Sequence, residues 1–113
     1  MLFTVEINHL NKSVNKFTLI TTNDFRISGE LQDKNLFLHL DYLVRWSPSV
    51  YKQLLFILTD IKHSAHKLNI TDLYVLVPLE FIKFESLFGF EPEQILHSQT
   101  LNKDYILMSQ KVN

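Results

Sequence analysis

The stretch KFESLFGFEP, residues 83–92, decides the fold because it joins the end of a helix to the start of a strand. Gly89 is one of only two glycines in the chain, and its place after a helical pattern predicts a left-handed helix ending. Phe90 then returns the chain to the core. We therefore predict a short helix over residues 79–88 and a strand over residues 90–98.

A longer helix lies upstream of this stretch. Ser47 is a good N-cap residue, and Pro48 suits the first helical position, where no backbone N–H donor is needed. Apolar residues then recur at the spacing of one buried helical face, and Asn69 is a suitable end. The pattern predicts a helix over residues 48–68, followed by a short buried strand over residues 73–77. The apolar positions of the helix are Val50, Tyr51, Leu54, Leu55, Leu58, Ile61, Ala65 and Leu68.

Strand patterns occupy the rest of the chain. Residues 25–44 are typical of a hairpin around a polar turn, and the arm over residues 36–44 is apolar on both faces, as in a central strand. The arm that contains Ser28 and Glu30 alternates polar and apolar residues, which predicts a half-exposed strand. The sequence therefore predicts an α/β (α+β) fold with a mixed, mostly antiparallel sheet, one long helix and one short helix. Shorter strand patterns cover residues 2–7, 17–20 and 104–111.

This order of elements, together with the KFESLFGFEP motif, resembles the GNAT acetyltransferase superfamily over residues 25–111. Many GNAT members end their last helix on a similar motif, directly before a strand. The resemblance implies a single GNAT-like domain over residues 1–113 and an acetyl-CoA-dependent transfer of an acyl group to an amine. The family's N-terminal helices are expected to be shortened or lost. Residues 1–24 are therefore expected to form an atypical segment, which either completes this domain or pairs with another chain.

The loop that binds the cofactor in the family departs from its pattern here. GNAT members hold the acetyl-CoA pyrophosphate with an Arg/Gln-x-x-Gly-x-Gly/Ala loop, whose backbone N–H groups point at the phosphates. The matching residues 45–51 are RWSPSVY, which places Ser49 and Tyr51 at the glycine positions and keeps Arg45 as a phosphate partner. Pro48 has no N–H to donate, and Tyr51 is bulky. We therefore expect no cofactor. If the domain does bind acetyl-CoA, the contacts are expected from Arg45, Ser49, Val50 and Tyr51.

Three titratable residues are the candidates for catalysis if the domain is active. His39 and Asp41 are two residues apart in the central strand, so both should lie on one side, where a His–Asp pair can act as a general base. The alternative is a hydrogen-bonded core histidine beside a strand-end aspartate. Under the resemblance, Glu85 takes the place of a tyrosine that frequently acts as the acid, and a carboxyl is a poor acid unless its pKa is strongly raised. The alternative for Glu85 is a solvated acidic rim with Glu80, Glu91 and Glu93.

Aromatic residues surround the same loop. Trp46 beside Arg45 can form a cation–π or ligand-stacking pair, and its alternative role is to anchor the loop to the core. Four phenylalanines around the second helix are expected in the core, or at a protein interface if they prove exposed. They are Phe81, Phe84, Phe88 and Phe90.

Composition disfavours several classes of function. Eleven Lys and Arg against twelve Asp and Glu give a net charge of −1, so no basic excess supports nucleic-acid binding. No apolar run approaches the roughly 18 residues of a membrane-spanning helix, so no membrane partner is expected. The absence of cysteine removes disulfides, thiol nucleophiles and cysteine zinc sites, and it permits an intracellular, reducing location. His63 and His66 share a helical face that we interpret as solvated, so no metal is expected.

Two functional interpretations follow. The leading one is a GNAT-like domain that has lost acetyl-CoA binding and acts as a protein-binding or structural module, with a protein partner or a second copy. Small GNAT-like proteins without cofactor motifs occur among phage products, so a phage protein of the host cytoplasm or the virion belongs to this interpretation. The other is a divergent acetyl-CoA-dependent N-acyltransferase. It predicts an open V-shaped cleft between the central strand and the strand over residues 73–77.

Overall fold

The computed structural model describes residues 16–113, so the strand pattern over residues 2–7 lies outside the described residues. The described part of the chain forms six strands, two α-helices and one short 3-10 helix. In chain order these are β1 (Lys16–Thr21), β2 (Phe25–Gln32), β3 (Asn35–Leu43), α1 (Pro48–Lys67), β4 (Asp72–Pro78), the 3-10 helix (Leu79–Phe81), α2 (Ile82–Ser86), β5 (Glu91–Ser98) and β6 (Lys103–Lys111).

The six strands form one sheet in the order β1-β2-β3-β4-β6-β5. Neighbouring strands are antiparallel except β3 and β4, which run parallel. The predicted hairpin is β2–β3, and its turn includes Asp33, whose φ of 57° lies in the left-handed region that Asp tolerates better than most residues. The predicted mixed, mostly antiparallel sheet with one long and one short helix is therefore confirmed for residues 16–113.

The parallel pairing between β3 and β4 is short. Three pairs join residues 35–37 of β3 to residues 72–74 of β4, and no further pair follows between the described parts of these strands. Beyond this point β3 stays paired with β2, and β4 stays paired with β6. The sheet therefore opens between the two strands, and we call this opening the strand split. It lies where the acyltransferase interpretation predicts a V-shaped cleft.

Helix α1 begins and ends close to the predicted residues. The Ser47 side chain accepts a hydrogen bond from the Val50 N–H at 3.1 Å, and Pro48 occupies the first helical position. Asn69 adopts a φ of 62° just after the last turn. One face of the helix packs into the core and leaves the other face, including His63 and His66, exposed. Its fully buried residues are Val50, Leu54, Ile61 and Ala65.

The second helical segment is less regular than predicted. Residues 79–81 form the 3-10 helix and residues 82–86 form α2, which a turn over residues 87–89 ends. A 3-10 helix turns the chain by roughly 120° per residue against roughly 100° in an α-helix, so the later residues face a different direction from that of one continuous helix. Gly89 has a φ of 91°, as predicted for a residue that ends a helix.

We predict that Gly89→Ala destabilises the protein by at least about 1 kcal/mol, because an L side chain is strained at this positive φ. An added Cβ would meet no atom closer than 3.4 Å, so backbone strain is the main cost. Urea unfolding measures the loss. Gly89→Asn should lose less, because Asn tolerates left-handed conformations better. Equal losses in the two variants would contradict this explanation.

The core lies mainly between α1 and one face of the sheet. Its buried residues include Phe25, Leu38, Val75, Ile106 and Met108. A smaller cluster of Leu76 and Tyr105 lies on the opposite face, because successive strand side chains alternate between faces. No helix in residues 16–113 is long and apolar enough to cross a bilayer.

Candidate functional site

The candidate site lies where the strand split meets the middle of α1 and the short helix α2. Residues of β3, β4, α1 and α2 line a cavity of about 70 Å³ there. The lining is apolar except for His39 and Glu85. The structure therefore brings two of the three predicted catalytic residues to one cavity, and Asp41 is not among its lining residues.

Two backbone N–H groups at the start of α1 are bonded to Ser47. The Val50 N–H donates to the Ser47 side-chain oxygen at 3.1 Å, and the Tyr51 N–H donates to the Ser47 carbonyl at 3.0 Å. Pro48 has no N–H. Of these three positions none has a free donor for a phosphate. The Ser49 N–H is the single free backbone donor over residues 48–51, so this stretch does not form the multi-donor cradle that the acetyl-CoA pyrophosphate needs in the family.

Four aromatic side chains join the start of α1 to α2, and we call them the aromatic bridge: Trp46, Tyr51, Phe84 and Phe88. The Trp46 ring centroid lies 5.3 Å from that of Phe84 and 5.9 Å from that of Tyr51. Phe88 lies 5.5 Å from Tyr51 and 5.3 Å from Phe84. These edge-on or tilted contacts support the interpretation of Trp46 as an anchor, since they tie its loop to buried Phe88.

The other residues predicted to contact the cofactor do not point to one common site. Arg45 and Ser49 are exposed, whereas Val50 is only 3% exposed and packs in the core. The Ser49 hydroxyl accepts a hydrogen bond from the Gln53 side chain at 3.3 Å. The cofactor roles assigned to Arg45, Ser49, Val50 and Tyr51 under the acyltransferase interpretation therefore stay predictions, and the geometry of residues 47–51 offers them little support.

Glu85 is buried, so the interpretation of this residue as part of a solvated acidic rim is wrong. Its side chain is 7% exposed, while Glu80, Glu91 and Glu93 are exposed. Glu85 precedes buried Phe88 by three residues, the spacing that places two side chains on one helical face. Burial raises the pKa of Glu85 to about 8. No hydrogen bond or ion pair joins its carboxyl to another described side chain. Because its pKa is about 8, a large part of this group is neutral at neutral pH.

His39 is fully buried and contacts Glu30 instead of Asp41. The His39 Nε2 lies 3.2 Å from the Glu30 Oε1, without the alignment of a hydrogen bond. Burial, together with the positive charge of Lys16, lowers the pKa of His39 to about 4. Burial also raises the pKa of Glu30. A buried, neutral His39 has the protonation state of a general base, but no surface on which to meet a large substrate.

Asp41 has its own set of partners. Its carboxylate accepts a hydrogen bond from the Ser28 hydroxyl and lies 3.4 Å from the Lys16 Nζ and 3.6 Å from the Arg26 Nε. A β-bulge lies at this point, because Ile27 pairs with Leu40 and Arg26 with Tyr42, so that Asp41 has no register partner in the β2–β3 pairing. The predicted His39–Asp41 pair is therefore not formed. The catalytic roles of His39, Asp41 and Glu85 stay predictions.

The sequence patterns did not identify Ser28 and Glu30 as buried polar residues next to the candidate site. Both are buried, at 2% and 3% exposure, although their strand pattern predicts a half-exposed strand. The sequence held one signal for this burial. The arm over residues 36–44 is apolar on both faces, which indicates that both faces of the sheet are buried at this strand. Ser28 lies directly opposite His39 in that arm, so the elements that bury His39 also bury Ser28.

Comparisons with known proteins identify the fold. The sequence matches no protein-family model and no curated protein sequence. Solved structures do resemble it. An acetyltransferase from Bacillus subtilis in complex with CoA is 14% identical, with a TM-score of 0.62, over 96% of this chain and 84% of that one.

Two further solved structures of acetyltransferases resemble this chain. A mutant spermidine N-acetyltransferase from Vibrio cholerae is 13% identical, with a TM-score of 0.60, over 95% of this chain and 72% of that one. The ribosomal-protein-S18-alanine N-acetyltransferase from Escherichia coli is 15% identical, with a TM-score of 0.58, over 96% and 76%. At these identities the likeness establishes the fold alone. The chain therefore has the fold of the GNAT acetyltransferases, as its element order and residues 83–92 predict.

Proposed function

We propose that this protein is a GNAT-fold binding module that does not use acetyl-CoA and whose partner is a protein. The observation that carries the proposal is the start of α1. There the N–H groups of Val50 and Tyr51 are bonded to Ser47, and Pro48 has none to offer. A pyrophosphate carries several negative charges, and the one free backbone donor over residues 48–51, the Ser49 N–H, does not compensate its loss of hydration.

The aromatic bridge supports the same proposal. It connects the start of α1 to α2 through ring contacts, with the Tyr51 hydroxyl 3.5 Å from the Leu87 carbonyl oxygen. Opening this region for a nucleotide would separate Phe88, which is 8% exposed, from its neighbours. Loss of such buried aromatic contacts is costly.

A protein partner is favoured by the apolar surface that the bridge leaves in solvent. Trp46 is 45% exposed and Leu87, next to Phe88, is 53% exposed. Large apolar side chains that stay exposed together are typical of protein interaction surfaces, and Trp is enriched at their centres. Self-association through this surface, or a place in a phage particle, stays a prediction from the sequence.

The alternative is a divergent acetyl-CoA-dependent N-acyltransferase. One observation favours it, because the strand split persists and holds His39 and Glu85, whose burial shifts both pKa values toward neutral forms. In this case His39→Ala should abolish turnover with acetyl-CoA and an amine acceptor.

Isothermal titration with acetyl-CoA and with CoA separates the two functions. The binding module should give no saturable heat with either compound. Micromolar binding of either compound would overturn the proposal and favour the acyltransferase.

A further inference from the structure

The cavity in the strand split has the size of a small molecule. Its volume of about 70 Å³ gives room for about five non-hydrogen atoms, if one water needs roughly 10–15 Å³ of such space. Side chains from several elements, including Leu38, Val75 and Phe90, line it. The cavity is thus a space between strands and helices that is partly open to solvent.

The Glu85 carboxyl is a polar group of this cavity without a hydrogen-bond partner among the described residues, and the two ring nitrogens of His39 are also without one. The Glu85 side chain is more than nine-tenths buried and lines the cavity, and no described side chain bonds to it. A buried carboxyl without a partner costs stability, since it loses water and gains no hydrogen bond. A ligand with complementary donor and acceptor atoms would supply both missing bonds.

The charge of the site selects among ligands. His39, the other polar lining residue, is neutral at neutral pH because burial lowers its pKa to about 4. Burial also keeps much of Glu85 neutral, since its pKa is raised to about 8. A charged ligand would lose its hydration in an apolar cavity that offers one weakly ionised partner. A neutral ligand avoids this cost.

We propose that the strand split binds a small neutral molecule that carries a carboxamide head on an apolar body, with Glu85 as the binding residue. A protonated carboxyl can donate one hydrogen bond to such a head and accept another from it. The apolar body then replaces solvent against the aliphatic and aromatic lining. This site does not depend on the proposed function, since it lies between the sheet, α1 and α2 and takes no nucleotide.

Propionamide, with five non-hydrogen atoms, is the probe for a two-dimensional amide and methyl NMR titration of the full chain. The pH is set between the pKa values of His39 and Glu85, about 4 and about 8. We expect saturable shifts at cavity residues such as Leu38, Val75 and Phe90, with the weak, millimolar affinity that so small a ligand permits. No saturable shift at these residues would overturn the proposal.

Two variants and two control ligands test the role of Glu85. Glu85→Gln, which keeps a donor and an acceptor, should bind propionamide within about threefold of the natural protein, whereas Glu85→Leu should bind at least about tenfold more weakly. 2-Butanone has the size of propionamide but no donor, so it should also bind about tenfold more weakly. Unchanged binding by Glu85→Leu, loss of binding by Glu85→Gln, or tighter binding of propylammonium than of propionamide would each contradict the proposal.

Discussion

Glu85→Gln is expected to stabilise the protein by a few kcal/mol above the raised pKa of Glu85. Burial raises this pKa from 4.5 to about 8, because the carboxylate would lose its hydration among apolar neighbours. The full shift corresponds to an upper limit of roughly 5 kcal/mol at about 1.4 kcal/mol per unit of pKa. Glutamine is neutral at every pH, so the variant avoids the cost of burying a charge.

The sign of the pH dependence follows from proton binding. Between pH 4.5 and about 8 the folded protein holds the Glu85 proton and the unfolded chain does not, so stability falls as pH rises through this window. The raised pKa of Glu30 acts in the same direction. His39 acts oppositely, because its pKa falls from 6.5 to about 4, so stability rises with pH between these values. The two effects oppose each other below pH 6.5, and the fall should be clearest between 6.5 and about 8.

Urea unfolding of the natural protein and of Glu85→Gln across this range measures the difference. The gain in the variant should be small near pH 4.5 and largest above pH 8. Glu91→Gln is the matched control, since Glu91 is exposed and its replacement should change stability by less than about 0.5 kcal/mol. A pH-independent difference between Glu85→Gln and the natural protein would refute the assignment of the raised pKa to Glu85.

Phe88→Ala should destabilise the protein by about 3–5 kcal/mol, the usual cost of removing a buried Phe ring. Phe88 is 8% exposed and contacts three other rings of the aromatic bridge at centroid distances of 5.3 to 6.4 Å. Its loss therefore leaves a cavity and removes the contacts that hold the Trp46 loop against α2. The change should also alter the fluorescence of Trp46, which is the single tryptophan of the chain.

Phe56→Ala is the matched control for the bridge. Phe56 lies on α1 but is 72% exposed, so its removal should change stability by less than about 0.5 kcal/mol. If Phe88→Ala does not fold, Phe88→Leu keeps most of the volume and should still lose about 1–2 kcal/mol. A loss at Phe88 no larger than the loss at Phe56 would show that the bridge carries no stability.

Local patterns were sufficient to predict most of the fold. Ser47, Pro48 and the apolar spacing behind them define α1, because capping and helical periodicity depend on nearby residues only. Gly89 marks the end of α2 for the same reason, since its positive φ is a local requirement. The resemblance to the GNAT fold then supplied the long-range order that no local pattern contains.

The site was harder to predict because burial depends on strand order and on small irregularities. Ser28 and Glu30 look half-exposed along β2 but are buried, and Ser28 lies directly opposite buried His39 on the central strand β3. A β-bulge leaves Asp41 without a register partner on β2, and it has no clear signal in the sequence. The pair His39–Asp41 was therefore expected and the contact of His39 with Glu30 was not. The burial of Glu85 had a signal, because this residue precedes Phe88 by three positions and shares its helical face.

The central claim is that Ser47 and the aromatic bridge already occupy the position where a GNAT fold would hold the cofactor phosphates. Backbone amide NMR signals of residues 49–51, followed during a titration with CoA, test this claim most directly. We predict that these signals stay unshifted, since the Val50 and Tyr51 N–H groups remain bonded to Ser47. Saturable shifts at these three amides would contradict the account, because they would place the phosphates at the start of α1.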